Sequence, residues 1–218
     1  MPIIAIDGLD GSGKKTQTGL LVDELKARHK VFTLDFPRYQ HPSSMLVREH
    51  LAGRTSMDAT TENPYAVASY YACDRFVSYQ NEWRKHYENN EIIVFDRYTT
   101  ANMIHQTVKL PPERRPEFLA WLYDYEHVKL GIPKPDVVLY LDVPPETARK
   151  LILERYGGDE SRMDKLESDL EYQSRCRNTA RLAARLYDWT VISCETDGRL
   201  LSEQEIHGRI MTQLKTKG

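Results

Sequence analysis

The stretch Ile3-Ile4-Ala5-Ile6-Asp7-Gly8-Leu9-Asp10-Gly11-Ser12-Gly13-Lys14-Lys15-Thr16 decides the reading of this 218-residue chain. An isoleucine-rich apolar run reads as a buried strand, the glycines that follow form a loop, and the loop enters a helical pattern. Gly8, four residues, then Gly13-Lys14 fits a phosphate-binding loop, G-x-x-x-x-G-K-[ST], in the strand-to-helix setting that gives the motif meaning. Glycines let successive backbone N–H groups converge on an anion. The helix N-terminus adds partial positive charge, and the lysine reaches the outer phosphates. Lys15 breaks the pattern, because it stands where Ser or Thr offers a hydroxyl to Mg²⁺. Thr16 does not replace that hydroxyl, since one step along a helix turns a side chain by about 100°.

Around this loop the composition is ordinary for a globular protein, with 40% hydrophobic and 28% charged residues. A net charge of −2 gives no general attraction to nucleic acid or acidic membranes, so anionic ligands need local basic groups. Cys73, Cys176 and Cys194 form no metal or disulfide pattern, which suits a reducing compartment. Cys73 and Cys194 read as small core residues. No run approaches the roughly 18 apolar residues of a membrane span. No secretory signal is expected either, and the cytoplasm is the expected location.

Further strands are expected at Val31–Asp35, Ile92–Phe95, Val137–Leu141 and Thr190–Ser193. Helical patterns fill the intervals. One ends near His29, and one follows a Ser43 or Ser44 cap and stops at Gly53. Asn63-Pro64 opens a helix to about His86. Others run roughly 100–107, 112–130, 145–156 and 168–186, and a last amphipathic helix follows the Asp197-Gly198 turn. The segment from Arg54 to Glu62 reads as polar and turn-like. Short apolar strands alternating with helices imply an α/β fold, with a five-stranded parallel sheet covered by helices on both faces. Residues 1–218 are expected to form a single domain. Ligands in such folds bind beyond the carboxyl ends of the strands, where Asp10, Arg38, Asp96, Arg97 and Asp197 fall.

Four constellations carry chemistry. Asp96, ending its strand beside a phosphate loop, is placed to hold Mg²⁺, and Arg97 can fork onto phosphate oxygens. The structural alternative is a helix-capping Asp96 and a surface ion pair at Arg97. Tyr71 and Arg75 share a helix face and can stack on a nucleobase and bond its carbonyl edge, or can be a core tyrosine and an ion-paired arginine. Phe36-Pro37-Arg38 sets an arginine at the ligand edge, for an acceptor phosphate or for water. The segment 155–168, with Arg155, Gly157-Gly158 and Arg162, suits a mobile lid or a solvated charged loop. Trp83, Trp121, Trp189 and the stripe Leu182, Leu186, Tyr187 read as packing. The arginines from Arg175 to Arg185 read as a solvated face, with Arg175 or Arg177 able to approach the lid. The seven histidines show no metal spacing.

In this order the motifs resemble the thymidylate kinase family over nearly the whole chain. Gly8-Leu9-Asp10-Gly11-Ser12-Gly13-Lys14 is similar to that family's loop, and Phe36-Pro37-Arg38 to its Phe-Pro element. Tyr71-Ala72-Cys73-Asp74-Arg75 resembles its base-binding helix, and Asp96-Arg97-Tyr98 its Asp-Arg-Tyr signature. Gly131-Ile132-Pro133-Lys134-Pro135-Asp136 and Leu141-Asp142-Val143-Pro144-Pro145-Glu146 also match. The resemblance implies a P-loop kinase fold and γ-phosphoryl transfer from ATP to dTMP with Mg²⁺, usually by a homodimer. ATP would lie on Gly8, Gly11, Ser12, Gly13, Lys14, Lys15 and Thr16, with Asp197 near adenine. Asp10 would contact the acceptor's 3′-hydroxyl, Arg38 and Arg97 its phosphate, Tyr71 and Arg75 its thymine. Phe36, Tyr98, Asn102 and Gln106 complete the implied acceptor set. Ser12 in place of a loop arginine implies the style of the family in which Arg155 or Arg162 of the lid acts. Departures are Lys15, Ala101 where the family usually has serine, and His105 where it often has tyrosine.

The expected mechanism is direct in-line transfer, carried by Lys14, Arg97, a lid arginine and Mg²⁺ near Asp96. Two other readings stay open on these residues. One is a kinase for another pyrimidine nucleotide. The other is a nucleotide-binding regulatory protein whose catalysis Lys15 has weakened.

Overall fold

The computed structural model describes residues 3–55 and 62–217, so most of the polar segment read over 54–62 lies outside the described residues. Five strands pair in parallel in the order β2-β3-β1-β4-β5: β1 (Ile3–Gly8), β2 (Val31–Asp35), β3 (Ile92–Asp96), β4 (Val137–Asp142) and β5 (Thr190–Ser193). The register sets Ile6 beside both Asp96 and Leu139, and Asp35 beside Asp96. Side chains alternate across the sheet, so each strand feeds two cores. Ile3, Ala5, Ile93, Phe95, Val138 and Tyr140 face one side; Ile4, Ile6, Ile92, Val94, Leu139 and Leu141 face the other.

Helix α1 (Lys14–Lys26) packs Leu21 and Val22 onto the second core. Helices α2 (Met45–Leu51) and α3 (Pro64–Ser78) follow β2, and Asn63 caps α3 by accepting from the Tyr65 N–H, as the Asn-Pro pair predicts. The helix expected to reach His86 instead widens into a π turn at Tyr79–Trp83 before α4 (Arg84–Glu88). Trp83 turns fully inward there, edge-on to Phe95. Beyond β3 come α5 (Thr99–His105) and α6 (Arg115–Tyr123), the latter running into a π turn at Asp124–Lys129. Helices α7 (Pro145–Arg155), α8 (Lys165–Ser168) and α9 (Leu170–Tyr187) lie between β4 and β5. A two-stranded hairpin, β6 (Glu195–Thr196) and β7 (Arg199–Leu200), leads to α10 (Glu203–Lys217).

Three readings are corrected. Cys73 is exposed, because α3 turns Val67, Ala68, Ala72 and Arg75 inward and Cys73 lies one step beyond Ala72. Leu186 is 52% exposed, since the inner stripe of α9 is Tyr172, Cys176, Ala180, Ala183 and Ala184; Leu182 and Tyr187 do pack on that core. Arg177, read as part of a solvated face, is held with Arg181 by the Asp142 carboxylate, at 2.6 Å.

Connections leave β1 and β4 in opposite directions within the sheet, which opens a crevice beyond their carboxyl ends. The glycine loop sits in that crevice. No described helix is long and apolar enough to cross a membrane.

Candidate active site

The glycine loop is anchored at both ends. Buried Asp7 accepts the Gly8 N–H through Oδ1 at 2.8 Å and the Thr100 hydroxyl through Oδ2 at 2.7 Å, tying the loop's start to α5. At its end Gly13, with φ of 82°, is the N-cap of α1 and offers no side-chain acceptor to the first amides. Those uncapped N–H groups and the helix dipole favour an anion. Lys14 folds back over the loop, donating to Gly8 O at 3.0 Å and Leu9 O at 2.7 Å. Burial, with the charge of Arg97, pulls its ammonium down to about 8 against the attraction of Asp10.

Arg97 holds a left-handed backbone, φ 63°, and its N–H donates to Ile6 O at 2.9 Å. That conformation costs a non-glycine residue about 1–2 kcal/mol. It aims the guanidinium across the end of β1, where Nη2 donates to Asp10 Oδ1 and Nη1 lies 3.1 Å from His105 Nε2. Arginine only donates, so His105 accepts and is neutral at Nε2. Burial and Arg97 together push the His105 imidazole down to about 4. Burial alone would raise the Asp10 carboxyl, but Arg97 and Lys14 overturn it and hold it well below the carboxylate range. Asp96, buried with less compensation from Lys14 and Arg97, is raised instead.

These groups line a cavity of about 800 Å³. One end is formed by Phe36, Pro37, Tyr39, Asp10 and Arg97. The floor is the glycine loop from Gly11 to Gln17 with Asp35 and Asp96. The other end is apolar, built from Val143, Leu151, Leu200, Leu201 and Ile206. The motif reading missed this apolar wall and Tyr39. The pair Leu200-Leu201, just after the Asp197-Gly198 turn, was the available signal. Asp197 itself is exposed at the hairpin tip and does not line the cavity. Lys15 is exposed and borders both this cavity and an adjoining one of about 320 Å³ that also holds Asp35 and Asp96.

The remaining candidates divide. Arg38 is turned toward Glu82 at 2.7 Å and Asp35 at 3.1 Å, while its backbone N–H donates to Asp74. Tyr71 is half-buried on α3. Arg75, 1% exposed, forks onto Glu126, and Asn102 donates to the same carboxylate. Gln106 is buried with Oε1 lacking a partner. Tyr98, expected among the acceptor contacts, is a core residue: it is fully buried, stacks on Phe95 and donates to Pro133 O. Arg155 reaches the cavity and bonds Glu167 at 3.1 Å; Arg162 stands outside it, 5.0 Å over the Tyr156 ring. Ser12 is buried but lines the cavity floor, and Gly8 is buried and does not line the cavity.

Gly11 tolerates no side chain. Its φ is 76°, and a Cβ would fall 2.5 Å from Ala148 O and 2.8 Å from Ile152 Cγ1. Gly11→Ala is expected to cost at least about 1 kcal/mol of stability in urea unfolding and to weaken nucleotide binding, because the loop must lift off α7.

Comparison with known proteins agrees with this geometry. A family model described as thymidylate kinase matches residues 6–206. The thymidylate kinases of two Mycobacterium tuberculosis strains, CDC 1551 / Oshkosh and H37Rv, are each 33% identical over 208 residues, 91% of this chain and 94% of theirs. A probable thymidylate kinase of Pyrobaculum aerophilum is 28% identical over 159 residues, 73% of each chain. This chain belongs to the thymidylate kinase family.

Proposed function

We propose that this cleft transfers the γ-phosphoryl group of ATP to the 5′-phosphate of dTMP. An acceptor phosphate oxygen bonds to the γ-phosphorus as the bond to the β–γ bridging oxygen breaks, giving dTDP and ADP. The observation that carries the reading is the cation cluster of Lys14 and Arg97 around Asp10, lining one cavity together with the glycine loop. One end of the cavity is apolar enough for a nucleobase, and the other is walled by Phe36 and Tyr39.

Each role follows from position. The α1 amides and Lys14 take the donor phosphates, and Val143, Leu151, Leu200 and Leu201 take adenine. Arg97 sits where donor and acceptor phosphates meet, and there a fixed cation stabilises charge that develops during transfer. The acceptor phosphate is already anionic, so no general base is needed. Asp10 keeps its charge, orients Arg97 and faces the acceptor sugar. Tyr71, Arg75, Asn102 and Gln106, which lie outside the lining of the cavity, are read as the base end. Arg155 swings from Glu167 toward the phosphates as residues 155–168 close like a lid, hinged at Gly157 and Gly158, which have φ of 66° and 85°.

Among the described residues no group of three or more His, Cys, Asp or Glu side chains could hold a metal ion. Mg²⁺ commonly takes only one or two carboxylates beside phosphates and water, and Asp96 supplies one on the cavity floor. The donor set thus fits an ion that arrives with the nucleotide, held by Asp96, and such an ion neutralises phosphate charge. Lys15 adds a second positive charge at that place. The same reading gives a cytoplasmic homodimer, supported by the exposed apolar side chains Met45, Leu46 and Leu51 of α2.

A coupled ADP-release assay with dTMP, dUMP, UMP, CMP and thymidine tests the reading. dTMP is expected to turn over best, and Lys14→Ala and Arg97→Ala each to lower kcat/KM by at least about 100-fold. Turnover within a few-fold of wild type in either variant would contradict it. The Lys14 pKa of about 8 sets a pH dependence. Phosphate binds the ammonium form, so affinity is full below that pH and falls as pH rises through it. ATP affinity by calorimetry is expected to weaken about tenfold from pH 7 to 9. Lys14→Arg, which stays charged, is expected to flatten that profile.

A further inference from the structure

Behind Tyr71, three buried side chains share a hydrogen-bond network. Arg75 on α3 donates through Nε to Glu126 Oε2 at 2.6 Å and through Nη2 to Oε1 at 2.7 Å. Asn102 on α5 donates through Nδ2 to Glu126 Oε1 and to Ala68 O, both at 3.0 Å. Both groups facing that nitrogen are oxygens, so the amide has one orientation: Nδ2 inward and Oδ1 outward. Arg75 has Nη1 left over. Neither Oδ1 nor Nη1 has a hydrogen-bond partner among the described residues. Tyr71 stands one turn before Arg75 on α3, so the half-buried ring and the guanidinium share one helix face.

We infer that Glu126 is a positioning residue that sets the polarity of base recognition, holding Arg75 and Asn102 so that the ligand meets one donor beside one acceptor. The inference rests on reading this end of the cleft as the acceptor's nucleobase site. A donor beside an acceptor complements an imide edge, a ring carbonyl next to a ring N–H, as in thymine or uracil. Cytosine presents the reverse, an amino group next to an unprotonated ring nitrogen, and leaves both protein groups unpaired. A carboxylate suits the task because it only accepts, and its two oxygens here take three N–H groups from two elements.

Glutamine at 126 keeps the size and turns one acceptor into a donor, so at least one of the three bonds is lost and its partner is released. Glu126→Gln is expected to raise KM for dTMP at least about tenfold with kcat within a few-fold, and to narrow the dTMP-over-dCMP ratio of kcat/KM by about tenfold or more. Glu126→Asp, still only an acceptor, is expected to recover part of that ratio. An active Glu126→Gln enzyme with the wild-type ratio would overturn the inference. If that variant does not fold, NMR of the wild type decides. The Asn102 side-chain amide protons are expected to exchange slowly both without and with dTMP, because Nδ2 keeps its bonds to Glu126 and Ala68. Fast exchange in either state would overturn the inference. Absence of dTMP turnover by the wild type would instead overturn the kinase reading, and this inference with it.

Discussion

A guanidinium held against a carboxylate at the mouth of a phosphate loop is the interaction on which the cleft depends. Asp10 follows β1 and Arg97 follows β3, and they are brought side by side because β3 pairs directly with β1. Their pairing lets two cations, Lys14 and Arg97, sit near one another without a bound anion. Arg97 lowers the Lys14 pKa, while Asp10 opposes that shift. His105 completes the arrangement by staying neutral and accepting from Arg97, so it adds no third charge. The cluster thus keeps positive charge ready for phosphates in a partly water-excluded place, where each charge has most effect.

The sheet explains why this cluster can serve two substrates. The cavity crosses the carboxyl ends of β1 and β3, with the glycine loop as floor and the Phe36–Tyr39 turn after β2 as one wall. The opposite wall comes from the segments after β4 and β7, a different part of the chain. On the proposed reading, residues that recognise one ligand lie on elements separate from those that recognise the other, and Lys14, Arg97 and Asp10 serve both. Tyr156 and Glu167 hold Arg155 at the rim, within reach of the same place.

Much of this was legible in the sequence, for physical reasons that differ by residue. All five strands of the sheet, the Asn63 cap and the Gly13 turn show themselves through short-range patterns of burial and backbone preference. Lys14, Asp96 and Arg97, expected from a glycine loop and a strand-ending Asp-Arg, line one cavity. Glu126 was invisible, because it lies in a π turn far along the chain from Arg75 and its meaning depends on packing between α3 and α5. The apolar wall at Leu200-Leu201 was hidden among ordinary hydrophobics. Tyr98 and Cys73 were misplaced for a related reason: adjacency to a motif does not say which way a side chain points. Lys15 is read alike in sequence and structure, as a second cation where a hydroxyl is usual, beside Asp35 and Asp96.

The central claim is that one cation cluster in one cavity serves both nucleotides at once. Calorimetric titration with a dinucleoside pentaphosphate joining thymidine and adenosine tests it most directly. The account predicts one site per chain, binding tighter than either ATP or dTMP alone, and competition with both. Competition with only one of the two, or two independent sites per chain, would contradict it.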